Sequence, residues 1–253
     1  VSDGGRIVFG VRPVGELVRA RPDEVSVVYV ADGTRGPEIE EVVQAAKERR
    51  VTVEFRPRRM VADLAPGAVH QGIVAIGGRY RYASVGDLLH AAKQAGEPPL
   101  IVLLDGITDP HNLGAIARSA EVLGAHGLVI PSRGSASVTP GAVKASAGAT
   151  ERVHIAEVLN LLKTIDGLRE AGVRVLGAGA GDGERLDQVD FKQPTGLVIG
   201  AEGKGMREAV ARRCDGLFHI PQRGVVSSLN ASVAAAIALY EAARQRQSAN
   251  VPK

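Results

Sequence analysis

A chain of 253 residues can bury one large core or two small ones, and 45% hydrophobic with 23% charged residues is the composition of an ordinary globular protein. Its apolar runs, such as 100–104 and 197–199, are too short to span a membrane, and Asp3, Gly4 and Gly5 stand where a signal peptide would carry its charged start and apolar stretch, so a cytoplasmic location is expected. A formal charge of +3 and a pI near 9.2 favour polyanionic partners, while the single cysteine, Cys214, rules out an internal disulfide and has no His or Cys at metal-ligand spacing.

In chain order, residues 6–79 alternate helical stretches (11–20, 37–50) with strand-like runs (25–30, 51–55, 72–76), the pattern of a small α/β domain. Between Lys47 and Arg59 six basic residues, Lys47, Arg49, Arg50, Arg56, Arg58 and Arg59, stand against Glu48 and Glu54. A solvated helix end and a phosphate-binding patch would both show this run. Residues 80–99, YRYASVGDLLHAAKQAGEPP, read as a linker with a short helix near 86–94 that ends at Gly96 and Pro98–Pro99. Residues 1–79, 80–99 and 100–253 are thus the expected first domain, linker and second domain.

Beyond the linker, apolar strands at 101–105, 127–130, 173–177, 196–200 and 217–220 alternate with helical stretches near 112–124, 156–170, 206–213 and 229–246. Strands without polar alternation imply a mostly parallel sheet covered on both faces, in which ligands bind at the carboxyl ends. The loop GAGAGDG brings Gly177, Gly179, Gly181 and Gly183, but it comes late in the domain and opens no strong helix, which argues against a dinucleotide fingerprint. GAEGKGM (200–206) is no Walker loop, because Val198 stands where a glycine is needed and Met206 replaces the magnesium-binding Ser or Thr. Glu202, directly after an apolar strand, suits a helix cap or a ribose contact. Ser227 or Ser228 can cap the alanine-rich helix that follows, on which Leu229, Val233, Ile237 and Tyr240 share an apolar face. In DPHNLGAIARSAEVLG, Asn112 lies near a helix start and Arg118 nearly two turns on, so a shared face is expected.

Three segments, DPHNLGAIARSAEVLGAHGLVI, LVIGAEGKGM and IPQRGVVSSLNASVAAAIALYE, together resemble the SpoU branch of the knotted RNA methyltransferases, the SPOUT class. FGVRPV and AVHQGIVA are similar to that family's small substrate-binding domain. The resemblance implies a C-terminal SPOUT α/β domain with a deep trefoil knot and mostly parallel sheet, plus a small N-terminal α/β domain of ribosomal-protein-L30e-like type. It implies S-adenosyl-L-methionine as cofactor, at Gly177, Ala178, Gly179, Gly200, Ile220, Leu229 and Ser228, and catalysis by Asn112, Arg118, Glu202, Ser228 and Asn230. No metal is implied. Arg118 is the family's candidate for activating the hydroxyl; since a guanidinium normally stays protonated, positioning phosphate and stabilising developing charge is the preferred role. Gln222, where many relatives have methionine, and Arg223 beside it depart from the pattern.

The implied reaction is methylation of a ribose 2′-hydroxyl, most closely of a guanosine in the P-site loop of 23S ribosomal RNA. Methylation of transfer RNA or another ribosomal loop, and RNA binding without catalysis, are the alternatives. Partners expected are ribosomal RNA and a second copy joined through the knotted domain.

Overall fold

A computed structural model describes residues 5–179, 183–225 and 228–249, with side chains to 247. In chain order it shows β1 (Arg6–Phe9), α1 (Val11–Ala20), β2 (Val25–Ala31), α2 (Pro37–Glu48), β3 (Val53–Arg56), α3 (Arg58–Leu64), β4 (Ile73–Gly77), α4 (Val85–Ala95), β5 (Leu100–Asp105), α5 (Pro110–Val122), β6 (Gly127–Pro131) and α6 (Pro140–Ala145). There follow β7 (Ile155–Val158), α7 (Leu161–Glu170), β8 (Arg174–Ala178), β9 (Glu184–Arg185), β10 (Thr195–Gly200), α8 (Glu208–Ala211), β11 (Gly216–His219) and α9 (Ala231–Ala249). The chain divides into two compact units, one formed by residues up to Arg81 together with Val138–Arg152, the other by the rest.

In the first unit the strands run in the order β1-β4-β2-β3 among the described residues, with β4 antiparallel to β1 and β2 and with β2 parallel to β3. Period-two alternation gives this sheet two apolar faces. Val28 and Val30 of β2 join Leu17, Val18 and Val42 of α1 and α2, whereas Ala31 and Tyr29 point to the side of Val61 on α3. The excursion 138–152 adds Val143 to the first of these cores.

That excursion is fastened by charge. Glu151, whose side chain is fully buried, accepts from Arg6 Nη1 and Nη2 at 3.1 and 3.0 Å, and Arg6 also reaches Glu24 at 2.9 Å. Arg6 and Arg21 lie over the ring of Tyr80, whose hydroxyl donates to Thr150 O at 2.7 Å. Burial raises the Glu151 carboxyl above its usual range while Arg6 and Arg21 pull it back, and burial likewise raises the Tyr80 phenol.

The second unit holds a sheet of order β7-β6-β5-β10-β8-β11-β9, with parallel ladders throughout the described residues. β5 is buried along its whole length, as a strand covered on both faces must be. One face is covered by Leu88 of α4, Leu161, Ile165 and Leu168 of α7 and Val210 of α8. The segment read as a linker therefore carries α4, which opens with a capping box between Ser84 and Asp87, closes on a left-handed Gly96, and buries Leu88 and Ala92. The expected helix over 156–170 is two elements, because β7 completes the sheet edge and α7 starts only at the Asn160 cap. No helix among the described residues is long and apolar enough to cross a membrane.

Removing one partner of a buried ionic cluster strands the other, at a cost of roughly 3–5 kcal/mol. Glu151→Ala is therefore expected to destabilise the first unit by about 3 kcal/mol in urea unfolding, against less than about 1 kcal/mol for Arg19→Ala, which loses only partly exposed pairs with Glu16 and Glu41.

Candidate active site

At the carboxyl edge of the second sheet the chain returns to place β10 between β5 and β8, and the loops after β8, β10 and β11 meet there. They enclose a cavity of about 240 Å³ with the start of α9. Ile199, Phe218, Ile220, Leu229, Ala231 and Ala234 supply an apolar wall, Ala178, Gly179, Gly200 and Ala201 expose backbone, and Glu202, Gln222 and Ser228 stand at polar positions. Of the residues expected to touch a cofactor, Ala178, Gly179, Gly200, Ile220, Ser228 and Leu229 line this cavity.

Gly177 does not line it. A Cβ there would lie 2.4 Å from Met206 Cε, so this glycine makes room for the methionine of the next loop. Gly181 lies outside the described residues, and Gly183 lets the chain pass close to Leu217 O. At Gly200 a Cβ would stand 2.2 Å from Met206 N and 2.3 Å from Gly205 C, because the loop folds back over its own strand end. Reciprocal bonds between Ala201 and Gly205, at 3.0 and 2.8 Å, close that turn, with Gly203 and Gly205 at φ 73 and 67°. Asp105 then fixes the loop to the end of β5. Its buried carboxylate accepts from Arg207 N and Nε, both at 2.7 Å. Neither residue of this clamp stood out in the sequence, though an aspartate ending an otherwise apolar strand was a usable signal.

Beside the cavity three side chains from distant segments meet. Asn230 Nδ2 donates to Asn112 Oδ1 at 3.0 Å and to Glu202 Oε2 at 3.1 Å. Its Oδ1 accepts from Ser232 N at 2.9 Å and Ser232 Oγ at 2.6 Å, so Asn230 itself caps α9, in place of the expected Ser227 or Ser228. Ser227 lies outside the described residues and Ser228 is exposed on the cavity wall. Asn112 sits in the first turn of α5, which starts at the Asp109 cap with Pro110 following. A second cleft of about 370 Å³, lined by Thr108, Asp109, Asn112, Glu202 and Lys204, adjoins the first and shares Ala201 and Glu202 with it.

Arg118 is not part of this cluster. Six residues at 100° each put it about 120° round the helix from Asn112, not on the same face, and it is exposed and lines neither cavity. The six basic residues of the first unit are also separated. Lys47, Arg49 and Arg50 end α2 at the edge where β3 begins, and Arg56, Arg58 and Arg59 stand at the edge where β3 ends. Cys214 is held as a thiol, since burial pushes its pKa up to about 11. Among the described residues no group of three or more His, Cys, Asp or Glu is placed to hold a metal ion.

This arrangement joins a largely backbone-lined cavity to a cleft where a carboxylate and an amide can receive a hydroxyl. The SpoU rRNA Methylase family matches residues 99–240, and the RNA 2′-O ribose methyltransferase substrate binding family matches residues 7–83. The chain is 39% identical over 246 residues to 23S rRNA (guanosine-2′-O-)-methyltransferase RlmB of Pseudomonas syringae pv. tomato, covering 97% of this chain and 98% of that protein. It is 43% identical over 247 residues to an uncharacterized tRNA/rRNA methyltransferase of Mycolicibacterium gilvum, covering 97% of this chain and 78% of the relative. Among solved structures, the SpoU methyltransferase AviRb from Streptomyces viridochromogenes in complex with AdoMet superposes with a TM-score of 0.79 at 30% identity, over 97% of this chain and 92% of that one. The chain belongs to the SpoU rRNA methylase family.

Proposed function

We propose that the protein methylates the 2′-hydroxyl of a guanosine in 23S ribosomal RNA, at the P-site loop, in the cytoplasm and with S-adenosyl-L-methionine as methyl donor. The observation that carries this reading is the Asn112–Glu202–Asn230 cluster set between two adjoining clefts, together with near full-length similarity to a guanosine-2′-O-methyltransferase. Fit to the cofactor rests on the cavity itself. Apolar Ile199, Phe218, Ile220 and Leu229 suit a purine, and the open backbone at Gly179 and Gly200 suits its polar edges. The cofactor supplies a methyl group already activated on sulfur.

The protein's own task is then to align the ribose oxygen and help remove its proton. Asn230 takes up one oxygen of Glu202 and the carbonyl of Asn112, which leaves the Asn112 amide N–H groups and the second Glu202 oxygen to a hydroxyl in the adjoining cleft. Lys204, exposed beside them and without an ion pair among the described residues, is placed for a flanking phosphate.

The homodimer belongs to the same proposal. Val122, Val233 and Tyr240 are 69, 45 and 61% exposed, and Ala115, Ser119, Ala236 and Ile237 floor a shallow groove between α5 and α9. Two copies meeting on this face would bury it, and Arg118, on the flank of α5, then serves the partner's cleft.

Ribose-methylation mapping of 23S ribosomal RNA from cells with and without the gene should show one guanosine whose methylation depends on this protein; a dependent site in transfer RNA instead would redirect the assignment. In calorimetry Gly200→Ala should abolish S-adenosylmethionine binding because its clash is with backbone, whereas Gly177→Ala should cost at most about tenfold because the Met206 tip can move. Arg118→Ala should keep cofactor affinity and lose at least about a hundredfold in methyl transfer, with Arg118→Lys rescuing little of it. Mixing Arg118→Ala with Asn230→Ala protein should restore a measurable fraction of activity through hybrid dimers. No recovery from a mixture shown to exchange subunits would place Arg118 in its own subunit's reaction.

A further inference from the structure

β1, β2 and β3 run in one direction, so Phe9, Ala31 and Arg56 all reach the same edge of the first unit's sheet, beside the start of β4. Arg12 follows β1, Arg35 follows β2, and Arg58 and Arg59 follow β3, so cations 47 residues apart in sequence arrive together. All four are exposed and carry no ion pair among the described residues; Arg56 beside them is paired with Glu54. At about 3.3 Å per residue, Val53 at the start of β3 lies roughly 10 Å from Arg56, and Arg50 precedes it toward the opposite edge.

A second observation separates the two edges. The large apolar side chains that the first unit exposes among the described residues, Phe55 at 57%, Met60 at 54% and Val69 at 68%, all belong to the edge with Arg12 and Arg35. Exposed apolar surface interleaved with unpaired arginine suits RNA whose bases are splayed out, since aromatic faces stack bases while guanidinium groups hold phosphates; a regular duplex hides its bases from such a surface. The backbone here is also shaped around the edge. Gln71 takes φ 55° and turns its side chain to accept from Val11 N at 3.1 Å, which fixes the loop before β4 against the start of α1.

We propose that this strand-end edge is the surface by which the first unit holds an unpaired RNA loop, with Arg12, Arg35, Arg58 and Arg59 on phosphates and Phe55 stacking a base, and that Lys47, Arg49 and Arg50 lie outside it. The proposal rests on the RNA-methyltransferase reading above.

The experiment compares two triple variants of equal charge change, Arg12→Gln/Arg58→Gln/Arg59→Gln and Lys47→Gln/Arg49→Gln/Arg50→Gln. Binding of the full-length protein to a hairpin transcript of the 23S P-site loop is measured across salt concentrations. The first triple should flatten the log–log salt slope by about 2, at about 0.7 per single-strand phosphate contact, and the second should leave it nearly unchanged. Phe55→Ala should weaken binding about tenfold with an unaltered slope, and Phe55→Trp should restore it. An unchanged circular-dichroism spectrum and urea-unfolding profile show that the first unit of each variant is folded, and retained S-adenosylmethionine binding shows the same for the second. Equal effects of the two triples, or an effect confined to the second, would overturn the edge assignment while leaving the function standing. A parent protein that binds cofactor but neither binds nor methylates RNA would instead overturn the function, and the edge with it.

Discussion

The Asn230 amide has to satisfy opposite demands at its two ends. Its carbonyl oxygen faces the first donors of α9, Ser232 N and Oγ, and turning the amide over would set N–H against N–H at about 2.9 Å. With the oxygen held there, the NH₂ must point away from the helix, and only acceptors can meet it. Glu202 and the Asn112 carbonyl are those acceptors. One helix cap thus orients the polar groups of two other segments, 118 and 28 residues away. The cap performs this role only because the sheet delivers those segments to the same place. Gly200 pairs with Asp105 at the last register position of two parallel strands, and the Asp105–Arg207 clamp stops the intervening loop from swinging away.

The first unit meets a comparable constraint with charge in place of amides. Burying Glu151 is unfavourable by itself, as the upward shift of its carboxyl indicates, and it is tolerated because Arg6 and Arg21 converge on it. Such a cluster is a poor source of net stability compared with apolar packing, but it accepts one partner and one geometry. Its partner is a segment that lies within the sequence matched by the SpoU rRNA Methylase family and yet belongs structurally to the other unit. The chain therefore passes between the units after Arg81, after Ser137 and after Arg152, and a single cut cannot free an intact first unit.

The elements readable from sequence were those whose burial is carried by their own residues. β5, β6, β8 and β10 carry apolar runs without polar alternation because both faces of their sheet are covered, and α1 repeats its apolar residues at helical spacing. β1 and β7, with four residues each, leave too little pattern, and IAEV merged into the helix that follows it. α3 begins with two arginines and is held by a single fully buried residue, Val61, so its identity comes from tertiary contact. Motif resemblance singles out Asn112, Glu202 and Asn230 from three distant segments, but nothing in the sequence discloses that they touch. Six residues leave Arg118 about 120° from Asn112, so spacing of nearly two turns does not give a shared face, and in the basic run adjacency along the chain hides a strand lying between its two halves.

The same contrast explains how the departures at 222 and 223 are accommodated. The cavity is shaped by backbone turns and apolar surface; the glycine at 200 is required because loop backbone occupies the space of a Cβ, and no rearrangement of a neighbouring side chain would relieve that. Gln222 touches the cavity from an exposed position, and Arg223 is exposed beside it. An exposed rim residue changes what a ligand meets on entry at little cost to the fold, since its rotamers remain free and its polar atoms remain hydrated. Variation is therefore tolerable at the rim and intolerable at the turns. The Asn112–Glu202–Asn230 cluster lies between these extremes, because its side chains are specified by one another: replacing Asn230 strands both the Asn112 carbonyl and the Glu202 carboxylate, and replacing either of those leaves an Asn230 N–H without its acceptor.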